Sequence, residues 1–94
     1  MDDTTRPTLI IYRRPGCHLC DDAEVLLRDE LAQRARAGLR PIEVEHVDIS
    51  TDAELEGRYR RRIPVFAIGD HESDLVTSER QIREFLERAL PNGS

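Results

Sequence analysis

Cys17 and Cys20 are the only cysteines in the chain, and just His18 and Leu19 separate them. The thiolate is the reactive form of cysteine, both as a nucleophile and as a metal ligand. The chemistry therefore depends on where the chain places the two sulfurs and on what lowers their affinity for a proton. An unbroken apolar run, Leu9-Ile10-Ile11-Tyr12, comes just before them, and Pro15-Gly16 ends it. Ala23, Leu26, Leu27, Leu31 and Ala35 follow at helical spacing. The cysteines thus fall where a buried strand turns into a helix. The first turn of a helix has unpaired N–H groups and the positive end of the backbone dipole, and both favour a thiolate. Arg14, and His18 when protonated, add positive charge there, whereas Asp21 and Asp22 oppose it.

At this spacing the two sulfurs can meet. The expected chemistry is a dithiol that cycles to a disulfide. Cys17, the outer thiol, attacks a substrate disulfide and forms a mixed disulfide; Cys20 then attacks Cys17 and releases the reduced substrate. A separate reductant reopens the Cys17–Cys20 bond, and His18-Leu19 help to set its potential. Other readings of the pair remain open. Two thiolates suit Cu(I). Zinc needs further ligands, and His46 and His71 fall on a predicted strand and a turn far along the chain. An iron–sulfur role shared with glutathione, a non-catalytic adaptor, and a plain pair of buried small residues complete the alternatives.

The elements that must hold the pair are legible in the same way. Thr8 to Tyr12 reads as a strand covered on both faces. A helix runs from about Cys17 to Ala37, with Gly38 as its terminating residue. A second strand starts at Pro41, its alternation slipping phase near His46, where a bulge or a change of burial is expected. Strand, helix and strand make a right-handed parallel unit. Thr51 and Glu54 match a capping box at the start of a short helix anchored by Leu55 and Tyr59. Val65 to Ile68 is the next strand, Gly69-Asp70-His71 a tight turn, and Glu72 to Val76 the return strand at an edge. Ser78 and Gln81 again fit a capping box, and Ile82, Phe85, Leu86, Ala89 and Leu90 give the last helix its buried stripe. Residues 1–7 and Pro91 to Ser94 read as flexible ends.

Ninety-four residues suit one small domain. The formal net charge of −5 argues against general nucleic-acid binding. All fourteen basic residues are arginine, with Arg58, Arg60, Arg61 and Arg62 gathered before Ile63-Pro64. That cluster reads as a solvated helix end, with Arg62 on the rim of the site. No apolar run has membrane-spanning length, and Met1 to Arg6 lack the apolar core of a signal segment, so the expected address is cytoplasmic. In a reducing compartment a lone cysteine pair is more often catalytic or metal-binding than structural. The expectation is a monomer with no nucleic-acid or membrane partner and no bound cofactor.

The stretch Ile11 to Cys20, followed by Ala23 and Leu26-Leu27, resembles the glutaredoxins: a strand, a basic residue, a proline, and C-x-x-C leading a helix. The element order agrees with theirs from about Thr8 to Leu90. The resemblance implies an α/β fold of thioredoxin-like type, with a four-stranded mixed sheet in β-α-β-α-β-β-α order and helices on both faces. It implies a thiol–disulfide oxidoreductase with Cys17 and Cys20 catalytic. It also implies a cis-proline at Pro64 facing the cysteines, and an Ile63 that offers its backbone to a bound peptide or glutathione. Arg14 matches the family's basic residue at the substrate site. The implied partners are a disulfide-containing protein or a small thiol, and a reductant, either glutathione or a thioredoxin reductase. Two features depart from the family. Leu19 replaces the usual aromatic, and Asp74-Leu75-Val76-Thr77-Ser78 replaces a Gly-Gly pair and acidic residues, so part of the usual glutathione site is missing. Thr77 or Ser78 with the helix start can still hold a carboxylate.

Overall fold

The computed structural model describes residues 6–90. Of the expected flexible ends, 1–7 and 91–94, residues 1–5 and 91–94 lie outside the described residues; within the rest, the Pro7 carbonyl accepts the Glu43 N–H at 2.9 Å. The chain runs β1 (Thr8–Arg13), α1 (His18–Arg36), β2 (Glu43–Asp48), α2 (Ala53–Tyr59), β3 (Val65–Ile68), β4 (His71–Ser73) and α3 (Glu79–Ala89). A 3-10 turn, Ile49–Thr51, links β2 to α2. The four strands form one mixed sheet in the order β2-β1-β3-β4. β2 lies parallel to β1, while β3 is antiparallel to β1 and β4 antiparallel to β3.

Alternation along the strands sorts the apolar residues into two cores. Leu9, Ile11, Phe66 and Ile68 face α1 and α3, where Ala23, Leu27, Ile82, Phe85 and Leu86 close over them. The opposite face carries Tyr12 and Val65, packed with Ile49, Leu55, Tyr59, Ile63 and Cys20 under α2. Helices therefore cover both faces. The sulfurs belong to the smaller core, next to the middle of the sheet.

The ends of the helices explain their lengths. Gly38 takes φ +78°, and its N–H donates to the Ala35 carbonyl while the Leu39 N–H donates to Arg34, each at 3.0 Å. These crossed bonds stop α1 at the left-handed residue. Ser78 caps α3 by accepting the Gln81 N–H at 3.1 Å, as its spacing suggests. The Gln81 side chain answers one residue earlier than a standard capping box, accepting the Thr77 N–H at 2.7 Å.

Two local expectations are corrected, at α2 and β4, and the alternative left open near His46 is decided for a change of burial. The cap of α2 is Asp52 rather than Thr51: its carboxylate accepts from the N–H groups of both Glu54 and Leu55. Thr51 is already used, its hydroxyl donating to the Asp48 carbonyl at 2.9 Å within the 3-10 turn. β2 has no bulge. Its pairing with β1 is continuous from Thr8–Glu43 to Arg13–Asp48, and the slip in its pattern reflects half-burial of Val44 on one face and Val47 on the other. β4 stops at Ser73 instead of reaching Val76. Leu75 adopts φ +50°, a backbone that cannot continue a strand.

Candidate active site

β1 ends at Arg13, and the Pro15-Gly16 turn, with Gly16 at φ +78°, hands the chain to α1. Cys17 is the N-cap of that helix, with extended backbone at φ −89° and ψ 105°. Its Sγ accepts the Cys20 N–H at 3.1 Å. A cap residue normally uses a hydroxyl or carboxylate oxygen for this bond; here sulfur stands in that place. A thiolate there gains an N–H bond and faces the positive end of a helix of 19 residues.

Cys17 and Cys20 are joined by a disulfide, with their α-carbons 5.2 Å apart. The two are unequally placed. Cys20 is 0% exposed, whereas Cys17 is half-buried. His18 and Leu19 between them face solvent.

The second wall comes from the segment before β3. The Ile63–Pro64 peptide bond is cis, as the resemblance implies. Ile63 packs in the same small core as both cysteines, and Pro64 is fully buried. The expected open backbone at Ile63 is narrowed. Its N–H donates to the Tyr59 carbonyl at 3.1 Å, one helical step beyond the end of α2. Tyr59 in turn stacks on Tyr12, with ring centroids 4.4 Å apart, and its hydroxyl donates to Glu72 at 2.5 Å. Arg62 lies over the same ring and pairs with Asp74 at 2.9 Å and Glu72 at 3.3 Å. Arg62 is thus a rim residue, but one held by its own chain.

The charges around the sulfurs are arranged in pairs. Arg14, expected near the substrate, reaches α2 and pairs with Glu56 at 3.2 Å. Arg13, which the sequence reading did not single out, is more deeply engaged. Its Nη2 binds Asp21 at 2.7 Å and its Nη1 binds Glu24, whose other oxygen lies 3.1 Å from His46 Nε2. The hydrogen bond to Asp21, foremost, lifts the Arg13 guanidinium above its ordinary pKa. The relevant signal in the sequence was faint: carboxylates three residues apart on one helix face, next to a strand that ends in arginine. Among the described residues no three His, Cys, Asp or Glu side chains gather as a metal-binding set. Among them, too, no helix is long and apolar enough to cross a membrane.

Asp21 stands one turn beyond Cys17, its N–H donating to the Cys17 carbonyl at 3.0 Å. Its negative charge would disfavour a thiolate, and Arg13 offsets it. Replacing Arg13 by alanine is therefore expected to raise the pH midpoint of Cys17 alkylation by about half to one unit. Adding Asp21→Asn to that variant should bring the midpoint back. An unmoved midpoint in Arg13→Ala would rule out this compensation.

A disulfide that caps a helix, beside a cis-proline, on a β2-β1-β3-β4 mixed sheet defines a dithiol domain of thioredoxin-like fold. More narrowly, the chain belongs to the glutaredoxin-like domain family DUF836, whose model matches residues 8–90. It is similar in structure to target protein XcR50 from X. campestris, at 35% identity and a TM-score of 0.65, over 86% of this chain and 97% of that one. Protein Ne2328 from Nitrosomonas europaea shares the fold at 23% identity and a TM-score of 0.63, over 90% of this chain and 96% of the other. A malarial protein does so at 11% identity and a TM-score of 0.63, over 92% and 99% respectively. None of the curated proteins matches the chain.

Proposed function

We propose that this glutaredoxin-like domain is a thiol–disulfide oxidoreductase that reduces disulfides through Cys17 and Cys20. The observation that carries the reading is the position of Cys17 Sγ, which accepts the Cys20 N–H at the head of α1 and is bonded to Cys20. In the reduced protein the Cys17 thiolate attacks one sulfur of a substrate disulfide. A mixed disulfide forms and the other substrate sulfur leaves as a thiolate. Cys20 loses its proton and attacks Cys17 Sγ; the mixed disulfide breaks, the second substrate thiolate leaves, and the Cys17–Cys20 bond closes. Two electrons have passed to the substrate. They are restored by glutathione or by a thioredoxin reductase, and supplying each donor in turn identifies which one works.

The seclusion of Cys20 fits this division of labour. External disulfides meet Cys17, and Cys20 acts on a sulfur already beside it. With the Ile63 N–H taken by the Tyr59 carbonyl, the Ile63 carbonyl is the backbone group left to pair with an extended substrate. The domain acts in a reducing compartment, the cytoplasm, with a disulfide-containing protein or a small thiol compound as partner.

Titration of the reduced thiols tests the reading. Cys17 is expected to be alkylated at neutral pH with a midpoint well below about 8.5, the value of a free cysteine. A midpoint at or above that value would mean that the helix head does not activate the sulfur, and the catalytic reading would fall.

A further inference from the structure

Among the described residues four large apolar side chains are exposed: Leu19, Val25, Leu39 and Leu75. Two of these belong to segments that meet at the small core of the disulfide. Leu19 lies between the cysteines and is 51% exposed. Leu75, 49% exposed, is tied to the site by its backbone. Its N–H donates to the Arg62 carbonyl at 2.8 Å, and the Val76 N–H donates to the Pro64 carbonyl at 3.2 Å. The 75–76 segment is thus fastened on either side of Ile63, which packs against both cysteines.

Leu75 is held against its own preference. It is the only non-glycine among the described residues with a positive φ, +50°. A β-carbon disfavours that backbone, which glycine accepts freely and asparagine tolerates. The packing of the free protein gives little in return, since half of the side chain faces water while its neighbour Val76 is 0% exposed. A strained backbone that presents an exposed aliphatic group beside a reactive bond points to a contact made when a partner is present.

The charges of the rim indicate which partner. Arg62 is paired with Asp74 and Glu72, and Arg14 with Glu56. Glutathione brings two carboxylates and no aliphatic side chain, so it would have to compete for guanidinium groups that already have carboxylate partners. An extended peptide with an aliphatic residue next to its disulfide cysteine needs an apolar seat and a backbone acceptor, and this rim offers both.

We propose that Leu19 and Leu75 form a seat for an aliphatic residue flanking the disulfide of a protein substrate. The domain then favours such protein disulfides over glutathione disulfides. The inference rests on the exchange reaction above and narrows its substrate. Each turnover moves two electrons from Cys17 and Cys20 to the two substrate sulfurs, which leave as thiols, and two electrons from glutathione (as two molecules, which leave as their disulfide) or from a thioredoxin reductase reset the pair.

The test uses the full reduced chain and three oxidised probes: a peptide disulfide flanked by leucines, the same peptide flanked by serines, and glutathione disulfide. The rate of Cys17–Cys20 closure is read by quenching with an alkylating agent and weighing the products. The leucine-flanked peptide is expected to react about tenfold faster than the serine-flanked one, equivalent to about 1.4 kcal/mol. Leu75→Gly and Leu75→Asn, both compatible with the local backbone, should bring that ratio to within about twofold without lowering Tm. A wild-type ratio near one overturns the seat, and so does a ratio unmoved in both folded variants. If glutathione disulfide or the serine peptide closes the bond as fast as the leucine peptide does, the seat fails and the exchange reading stands. If none of the three probes closes it, the exchange reading fails and takes the seat with it.

Discussion

Cys17→Ser abolishes disulfide reduction, lowering turnover by about three orders of magnitude or more, whereas Cys20→Ser keeps the first attack and accumulates a mixed disulfide. That asymmetry is the expected result because the two sulfurs occupy different surroundings. Cys17 is half-buried and stands at the helix head, where it can meet an external disulfide. A serine hydroxyl in its place is protonated at neutral pH, so capping is preserved and nucleophilicity is lost. Cys20 is 0% exposed and cannot reach an external disulfide unaided. With serine there, the captured substrate has no internal thiol to displace it and is released only when added reductant attacks. Mass spectrometry of the Cys20→Ser protein, incubated with a model disulfide and no reductant, should find the adduct at Cys17. Equal and mild losses in the two variants would contradict the assigned roles and favour a non-redox use of the pair.

Tyr59→Ala should have the largest effect on stability, about 3–5 kcal/mol, a large share of what a domain of this size has. Tyr59 is 1% exposed and joins three elements: it stacks on Tyr12 of β1, ends α2, and bonds Glu72 of β4. Its loss opens a cavity next to Cys20 and Val65. Thermal unfolding should shift downward by about 15 °C or more. Tyr59→Phe separates the hydroxyl from the ring; it keeps the stack and costs about 1 kcal/mol, since Glu72 retains Arg62. The pair also sets a pH signature. Burial first, and then the bond to Glu72, push the Tyr59 hydroxyl above its ordinary value of 10.0. A folded pKa above the unfolded one means that this contribution is complete below about pH 10 and is lost as pH climbs through the folded value. Wild type should therefore lose stability above pH 10 faster than Tyr59→Phe. Parallel alkaline unfolding curves for the two proteins would show that folding does not shift the ionisation of the hydroxyl.

Much of this was readable from the chain because the informative signals were local. Leu9 to Tyr12 is an unbroken apolar run, which suits a strand covered on both faces, and the stripe Ile82, Phe85, Leu86, Ala89 and Leu90 repeats at the helical period, with all five of its residues buried. The cysteines were found by their place between a strand and a helix. Resemblance, rather than periodicity, pointed to the cis bond at Pro64. What stayed hidden depends on long-range partners or on a choice between equals. Asp52 and Thr51 are both good caps, and only the 3-10 turn that occupies Thr51 decides between them. Arg13 and Arg14 are adjacent and identical, but Arg13, the last residue of β1, pairs with α1, and Arg14, just past the strand's end, reaches α2. The bond from Tyr59 to Glu72 spans 13 residues and needs the β3–β4 turn to form before it exists. The early end of β4 follows from the backbone of Leu75, and no propensity scale expects a leucine there.

The outer strands of the sheet carry one last implication. An unpaired strand border is a template on which a second molecule can add its own strand and start a fibre. Here one border is the three-residue β4, cut short by the turn at Leu75, and the other is β2, which projects Glu43, Glu45 and His46 into solvent. An incoming chain would find too few amides on the first side and repelling carboxylates on the second. The domain can thus carry its disulfide and bare leucines at high concentration with both borders of its sheet guarded against growth.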